Sequence, residues 1–531
     1  MIFNACTKRK TTNAFKSGSR VPAITILTTT EEYDSARYQA AYYIASWWRE
    51  IGLEVKVEPL DFNMLTSTVR DNKPQDKYWH AFLYGWTGRV ERADPDMFLY
   101  SITHSSQAGG VGNNYSEYKN PDYDALAEAQ RRIADPELRR VVVHAAQAKL
   151  AEDIPFVSLY YRHVIHAYRE KAWANIIAMP GEGLFHEWLP FQAYPINKNN
   201  TVLTIAGNQE PNSLNPLTAT TVWEWKLLRL MYDKLARVNH SFRPEPWAAE
   251  EITQINDTLI EVKLRDGMTF HDGIPVKAED VKFTYDYMKN NDIGYFRSFL
   301  SPIKSVEINN NGYIQFHLHQ AYAPFISNTL AQIPILPAHY WVNRKPDDIR
   351  NIPLIGSGPL IFNKWTKNEI ISFSVYEDYF AIKDIKITGL DYKVFPDIKS
   401  ILNTLVNNNI DITGVNLNPE DVDYLNDYDD VKVIAVPDIG FHFIGFNCFS
   451  LPFSQDVLRQ AAALSIDLKF LKDELLKGYG DIGGHGQPIS SGNPFWKNKN
   501  IPASEFNIEK AKQILKDAGY TWDQDNYLLF P

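Results

Sequence analysis

Residues Trp247 to Asp286 read WAAEEITQINDTLIEVKLRDGMTFHDGIPVKAEDVKFTYD. Within this stretch Leu259–Leu264 alternates apolar and polar side chains, the period of a half-buried strand. His271-Asp272-Gly273 supplies a turn, because Asp and Gly tolerate the backbone angles that a tight reversal needs. Ala278-Glu279-Asp280 then opens a helix predicted over Ala278–Asn290, with its acidic side chains in the first turn where the helix dipole favours them. A second alternating run, Tyr313–Leu318, is the expected antiparallel partner of the first strand. Strand, turn, helix and returning strand in so short a span indicate a mixed α/β unit.

Working outward, the first half alternates more regularly. Ala23–Thr28 reads as a buried strand, Tyr33 to Glu50 as an amphipathic helix closed by Gly52, and Leu53–Pro59 as a strand. A helix near Leu65–Arg70 leads to the strand Ala81–Trp86, giving β-α-β-α-β and hence a largely parallel sheet with helices on its faces. Helices are predicted at Asp122–Ile133 and Pro136–Glu152, and strands at Phe156–Tyr161 and Val164–Tyr168. Towards the end, helices are predicted from Asp456 to Ala463 and after Asn507, where Ile508, Ala511, Leu515 and Ala518 form one stripe.

At 531 residues the chain is long enough for two or more domains. Its 44% apolar and 22% charged content is that of an ordinary globular protein. A net charge of −10 gives no electrostatic footprint for nucleic acid. The 13 Trp, 29 Tyr and 28 Phe suit deep clefts as well as cores. Two cysteines, Cys6 and Cys448, exclude a disulfide framework and a Cys-based zinc site. No apolar run reaches membrane-spanning length. The first twenty residues lack the apolar run of a signal peptide, although Ala5-Cys6 faintly resembles a lipoprotein cleavage and lipidation site. Residues 1–195 hold 13 Arg and 9 Lys, whereas residues 196–531 hold 8 Arg and 24 Lys. That shift is either chance or the mark of two segments of separate ancestry.

Catalytic readings close one after another. Gly478-Tyr479-Gly480-Asp481-Ile482-Gly483 matches GxGxxG, but a predicted helix precedes it where a dinucleotide site needs a strand. There is no Gly-Lys pair for a phosphate loop and no GxSxG elbow. His186-Glu187 lacks a second His at helical spacing. His317/His319 and His163/His166 have no companion ligands, so no metal and no cofactor is expected. Asp94-Pro95-Asp96 reads as a loop more simply than as a catalytic acid pair. The chain is expected not to be an enzyme.

The Trp247–Asp286 stretch resembles the signature region of the peptide-binding, family 5 solute-binding proteins of bacterial ABC importers. Ala249 to Asn256, Leu259–Leu264, Arg265, Phe270–Gly273 and Ala278–Val281 carry that likeness. Gly356-Ser357-Gly358-Pro359, Pro452–Asp467 and Phe506–Gly519 match further family segments. So do Phe82–Gly88 (FLYGWTG), Asp94-Pro95-Asp96, Asn114-Tyr115-Ser116 and Ala151–Tyr161 in the first half. Their order is inverted: residues from about 21 to 195 resemble the family's C-terminal part, and 201 to 531 its N-terminal part.

The resemblance implies a two-lobed periplasmic-binding-protein fold (type II, with an extra small subdomain), circularly permuted, whose lobes close on a ligand about crossings near Pro437–Phe441 and Met179–Leu184. The organisation expected is a tail over 1–20 and the large lobe from 21–180 and 438–531. The first lobe would come from 181–240 and 352–437, including the linker 196–200, with the extra subdomain at 241–351. The function implied is extracytoplasmic capture of peptides or peptide-like solutes for an ABC permease in the inner membrane. The location implied is the periplasm or the outer face of the cytoplasmic membrane. Alternatives are the same fold retuned to glutathione, a metal chelate, haem or an oligosaccharide, and a mis-joined or fused chain that folds as a domain-swapped homo-oligomer.

For the site, the resemblance puts Trp86, Thr87, Gly88 and Arg89 in the cleft. Dipeptide-binding members have Asp after Trp-Thr-Gly to hold the ligand's α-ammonium. Arg89 repels an ammonium, so either Asp94 or Asp96 substitutes or the ligand presents an anion. Arg37 lies where the family can place a carboxylate contact, and could equally be a surface helix residue. Asn212, Ser213 and Leu214 resemble the small-lobe loop at the cleft. Phe441 and His442 are expected to line it, although a histidine flanked by apolar residues is as often a core residue.

Overall fold

A computed structural model describes residues 15–71, 73–348 and 354–531. Ala5-Cys6 and the expected boundary at 351–352 lie outside the described residues.

The backbone of the molecule is a 12-stranded sheet made of two parts that share one strand. In the first part Ile24–Thr29 lies parallel between Val55–Leu60 and Ala81–Trp86, with Ile26 opposite both Val57 and Ala81. The helix Ser35–Glu50 connects the first two of these strands, as the alternating pattern predicts. Asp34 caps it by accepting from the Arg37 backbone N–H, and Ala40, Ala41, Ile44, Ala45 and Trp48 form its buried face. Its end needs Gly52, whose φ of +93° is costly for other residues. In the second part Val202–Gly207 lies parallel to Gly389–Val394 and to Ile412–Thr413, with the hairpin Leu360–Thr366 and Ile370–Val375 at the edge.

The shared strand is Phe156–Arg169, fourteen residues long, spanning about 46 Å at the usual strand rise. Two separate strands are expected there from the sequence, because Arg162-His163 interrupts the apolar run. The backbone instead stays extended through both. Its first half pairs with Phe441–Phe446 and Gly480–His485, with Tyr160 opposite His442 and Ile482. Its second half pairs with Val431–Pro437, with Val164 opposite Val436 and His166 opposite Ile434. Arg162-His163 is therefore the point where one strand passes from one lobe to the other. Asp438–Gly440, between Val431–Pro437 and Phe441–Phe446, is the second crossing.

Of the two expected crossings, Pro437–Phe441 overlaps the segment that joins the two parts of the sheet. Met179–Leu184 is not a crossing segment but a tight turn, bridged Met179 to Gly183. It lies against the real crossing, the Gly181 N–H donating to the Pro437 carbonyl at 3.0 Å.

Burial follows this division. Trp48, Phe446 and Phe453 centre a core on one face of the first part of the sheet, and Trp79, Phe82, Phe156 and Phe443 one on the other. A third core holds Leu203, Ile205, Phe270, Phe316 and Trp341 and is continuous from the second part into a separate four-stranded antiparallel sheet. That smaller sheet contains the stretch read first: Leu259–Leu264 pairs with Ala249–Asn256 and with Ile314–Leu318, and the helix Ala278–Asn290 follows. His271 is more than a turn residue. Its ring bonds the Gly356 N–H and the Gly358 carbonyl, anchoring the loop that leads into Leu360–Thr366.

Strands from both halves of the chain alternate within the sheet. Phe441–Phe446 sits between Ala81–Trp86 and Phe156–Arg169. The described start of the chain also pairs with its end. Gly18 and Val21 N–H groups donate to the Phe530 and Leu528 carbonyls at 2.9 and 2.8 Å, and Phe15 stacks on Phe530 with ring centroids 4.5 Å apart. These pairings close within one chain, so an exchanged oligomer is not needed to satisfy them.

Candidate ligand cleft

Side chains on a strand alternate faces, and the long strand uses that alternation at its crossing. Val164 and His166 face one cavity, of about 300 Å³, while His163 and Ile165 face another, of about 530 Å³. Asn416 borders both. The larger cavity lies beside Asp34, Arg162, Pro419 and Tyr479.

The smaller one gathers the predicted motif. Thr87, Gly88 and Arg89 line it from the first lobe, and Asn208, Trp223, Lys226, Tyr392 and Gly414 line it from the second. Asp438 in the crossing and Glu182 complete its charged residues. Gly88 is required where it stands, because a Cβ there would fall on the Asp438 carboxylate. That carboxylate accepts the Gly440 N–H at 3.0 Å. Burial raises its pKa, opposed by the N–H groups of Gly440, Gly88 and Ile439. The crossing and the motif are therefore in direct contact, and a change at one is felt at the other.

Trp86 precedes this wall without lining the cavity. Its ring stacks on Tyr115, Arg92 lies 5.2 Å from its centroid, and its indole N–H is buried without a partner. Arg92 donates to the Thr87 carbonyl at 2.7 Å, fixing the loop. Burial and the neighbouring Arg89 lower the Arg92 pKa to about 10.

Arg37 is not a surface residue. It is 6% exposed and belongs to a buried cluster at the crossing. Asp34 pairs with Arg162 at 2.6 Å and with Arg37 at 3.3 Å, while His442 stacks on Tyr160 beside them. Burial works against the Asp34 charge, but Arg162 and Arg37 hold its pKa well below the usual carboxylate range. Burial, reinforced by the same two guanidinium groups, pushes the His442 pKa well below the ordinary histidine value. Two Arg37 nitrogens and the His442 Nδ1 are buried without hydrogen-bond partners.

Other expected residues lie elsewhere. Phe441 is fully buried among Phe98, Phe156 and Phe443 and is a core residue, since the strand register turns it away from the cleft. The Asn212 and Ser213 N–H groups are held by the Glu224 carboxylate, and Leu214 is buried. None of the three lines the cavity; Asn208, earlier in the same segment, does. Asp94 and Asp96 cannot substitute for a free acid. Asp94 takes two hydrogen bonds from Arg139, at 2.8 and 2.6 Å, and Asp96 is held by Gln130 and Arg131. Sequence reasoning also missed Glu182, Lys226 and Asp438. Asp438 and Glu182 each lie in a Gly-containing break at an expected crossing, whereas Lys226 left no signal.

The lobes touch around this cavity. Glu91, two residues past Arg89, ion-pairs with Arg229 on the helix Val222–Met231. The Val90 N–H donates to Glu182 at 3.2 Å, and Ser327 donates to Asp94 at 3.0 Å.

Residues 7–110 and 243–530 match the model of the bacterial extracellular solute-binding proteins, family 5. The chain belongs to this family. Among similar proteins, the oligopeptide-binding protein AppA of Bacillus subtilis is 28% identical over 327 residues, 60% of this chain and 59% of that one. The di/tripeptide-binding protein 3 of Pseudomonas aeruginosa is 26% identical over 280 residues, 48% of this chain and 51% of that one. The chain thus spans between half and three fifths of the length of these family 5 relatives. In fold it is similar to HbpA2 from Haemophilus parasuis, with a TM-score of 0.51 and 20% identity over 60% of this chain and 67% of that one. Family 5 members are solute-binding receptors, and the mixed α/β two-lobed architecture agrees. Among the described residues no helix is long and apolar enough to cross a membrane.

Proposed function

We propose that this family 5 protein captures peptides or peptide-like solutes outside the cytoplasm and delivers them to an ABC permease. In this reading the solute sits in the cavity walled by Thr87–Arg89 and Lys226. The lobes close by rotation about Arg162-His163 and Asp438–Gly440. The observation that carries it is the contact between motif and crossing: Gly88 abuts the Asp438 carboxylate, so occupation of the wall acts on the hinge. The names of the relatives support peptides as the solute class. Capture without chemical change is the associated role, at the periplasm or the outer face of the membrane. The site residues we assign are Thr87, Gly88, Arg89, Asn208, Lys226 and Asp438, with Arg37 and His442 supporting the crossing.

We also infer that the family order is permuted in this chain. Strands from each half are needed in the same sheet, and the pairing of residues 18–21 with 528–530 is that of a hairpin opened at its turn. The reading is tested by small-angle scattering with and without a tryptic digest of casein. A fall in the radius of gyration on adding peptides supports it; an unchanged radius together with no heat of binding opposes it. A non-peptide anion is the second reading, favoured by Arg89 in the cavity wall.

A further inference from the structure

Four charged side chains border the smaller cavity, and their formal charges balance: Arg89 and Lys226 against Glu182 and Asp438. Their hydrogen-bonding capacities do not. Glu182 is engaged through one oxygen, by the Val90 N–H and by Arg229, whose guanidinium lies 3.4 Å away, and its other oxygen is buried without a partner. Asp438 is engaged by the backbone of its own crossing and of Gly88. The cations, by contrast, are barely used. Lys226 has three donors and makes one long bond, 3.3 Å, to the Glu182 carbonyl. Arg89 has five donors in a planar fork. Its Nε is buried without a partner, and its side chain makes no hydrogen bond or ion pair among the described residues.

The acids of the loop that carries Arg89 are each paired with a cation, one Glu91 oxygen staying buried without a partner. Glu91 pairs with Arg229, Asp94 with Arg139, and Asp96 with Gln130 and Arg131. An ammonium brought to this wall would meet two cations and carboxylates that already pair with Arg229 or with backbone N–H groups, Glu182 and Glu91 each keeping one buried oxygen without a partner. An anion would meet unspent donors from both lobes at once, Arg89 from one and Lys226 from the other. Binding it would therefore tie the lobes together.

We propose that Arg89 and Lys226 form an anion subsite, so that the solute presents a carboxylate, and not its ammonium, to the Thr87–Arg89 wall. This rests on the peptide-like reading above and specifies the polarity in which such a solute lies. The guanidinium fork matches a carboxylate in two parallel hydrogen bonds, and Lys226 adds a point charge.

The test uses trialanine, N-acetyl-trialanine and trialanine amide in calorimetry against the whole protein, Arg89→Ala and Lys226→Met. The wild type is expected to lose at least tenfold in affinity on amidation and less than threefold on acetylation. In both variants the acid-to-amide ratio is expected to fall towards one, with unchanged thermal melts establishing that they fold. The proposal is overturned if acetylation abolishes binding, or if the acid-to-amide ratio survives in both variants, which would assign the carboxylate to another cation such as Arg37. If no trialanine form binds, the peptide reading fails, and succinate decides the subsite by itself. Saturable succinate quenching of tryptophan fluorescence that Arg89→Ala removes supports the subsite, and no quenching overturns it.

Discussion

Glu91 and Arg229 form an ion pair across the cleft, one from the loop that follows the Trp86–Arg89 motif, the other from the helix Val222–Met231. Both side chains are nearly buried. Burial works against the Glu91 charge, yet Arg229, with Arg89 adding, lowers its pKa to about 2. Arg229 is further shared with Glu182. Glu91→Gln removes the stronger partner and leaves a buried guanidinium half-compensated, which costs about 3 kcal/mol. Urea unfolding should show that loss; a stability change below about 1 kcal/mol would contradict the assigned tie.

At the crossing, Asp34 pairs with both Arg162 and Arg37 and caps the helix Ser35–Glu50. Asp34→Asn keeps the size and much of the cap but removes the counter-charge shared by Arg37, which is buried, and Arg162, which is partly exposed. We expect a loss of about 3–5 kcal/mol in denaturant unfolding, with Arg162→Met costing less because it leaves Asp34 paired to Arg37.

Gly88→Ala places a methyl group against the Asp438 carboxylate and Ile439. Nothing there is the flexible end of a long side chain, so the crossing itself has to move. A destabilisation of about 2 kcal/mol and at least tenfold weaker solute binding are expected from melting and calorimetry. Wild-type affinity in this variant would show that motif and crossing are not coupled.

Acidification acts in two steps. His442 and His166 are buried with pKa values well below 6.5, and burial lowers His80 and His485 to about 4. Such groups take up protons more readily unfolded than folded. Stability therefore rises with pH up to about 6.5 and falls below it, by as much as about 1.4 kcal/mol per pH unit for each group. Glu91 has the opposite chemistry but the same direction: its contribution is present above its ordinary value of 4.5 and is lost as pH falls towards 2. A melting series from pH 7.5 to 4 should decline from about pH 6.5 downward. A flat series would place these histidines in contact with water.

Much of this was legible in the residues. The Ser35–Glu50 helix, the strands around it and the helix Ala278–Asn290 follow from periodicity and caps, because each is decided by its neighbours in sequence. The long strand was not legible, since Arg162-His163 looks like a break until Asp34 and Asp481 are known to face those two side chains. Phe441 could not be separated from a cleft residue by its type; the strand register alone sends it into the phenylalanine core. Lys226 lies on an amphipathic helix whose polar positions look like solvent positions. Its place in the cavity depends on the second lobe meeting the first, which no local pattern encodes.

The most direct test of the account is to purify the protein under native conditions, denature it, and identify what is released by mass spectrometry. A cleft closed by the Glu91–Arg229 pair should retain its solute, and the account predicts short peptides or peptide-like molecules with a free carboxylate. Release of a solute without peptide character and without any anionic group, from a well-folded protein, would contradict it.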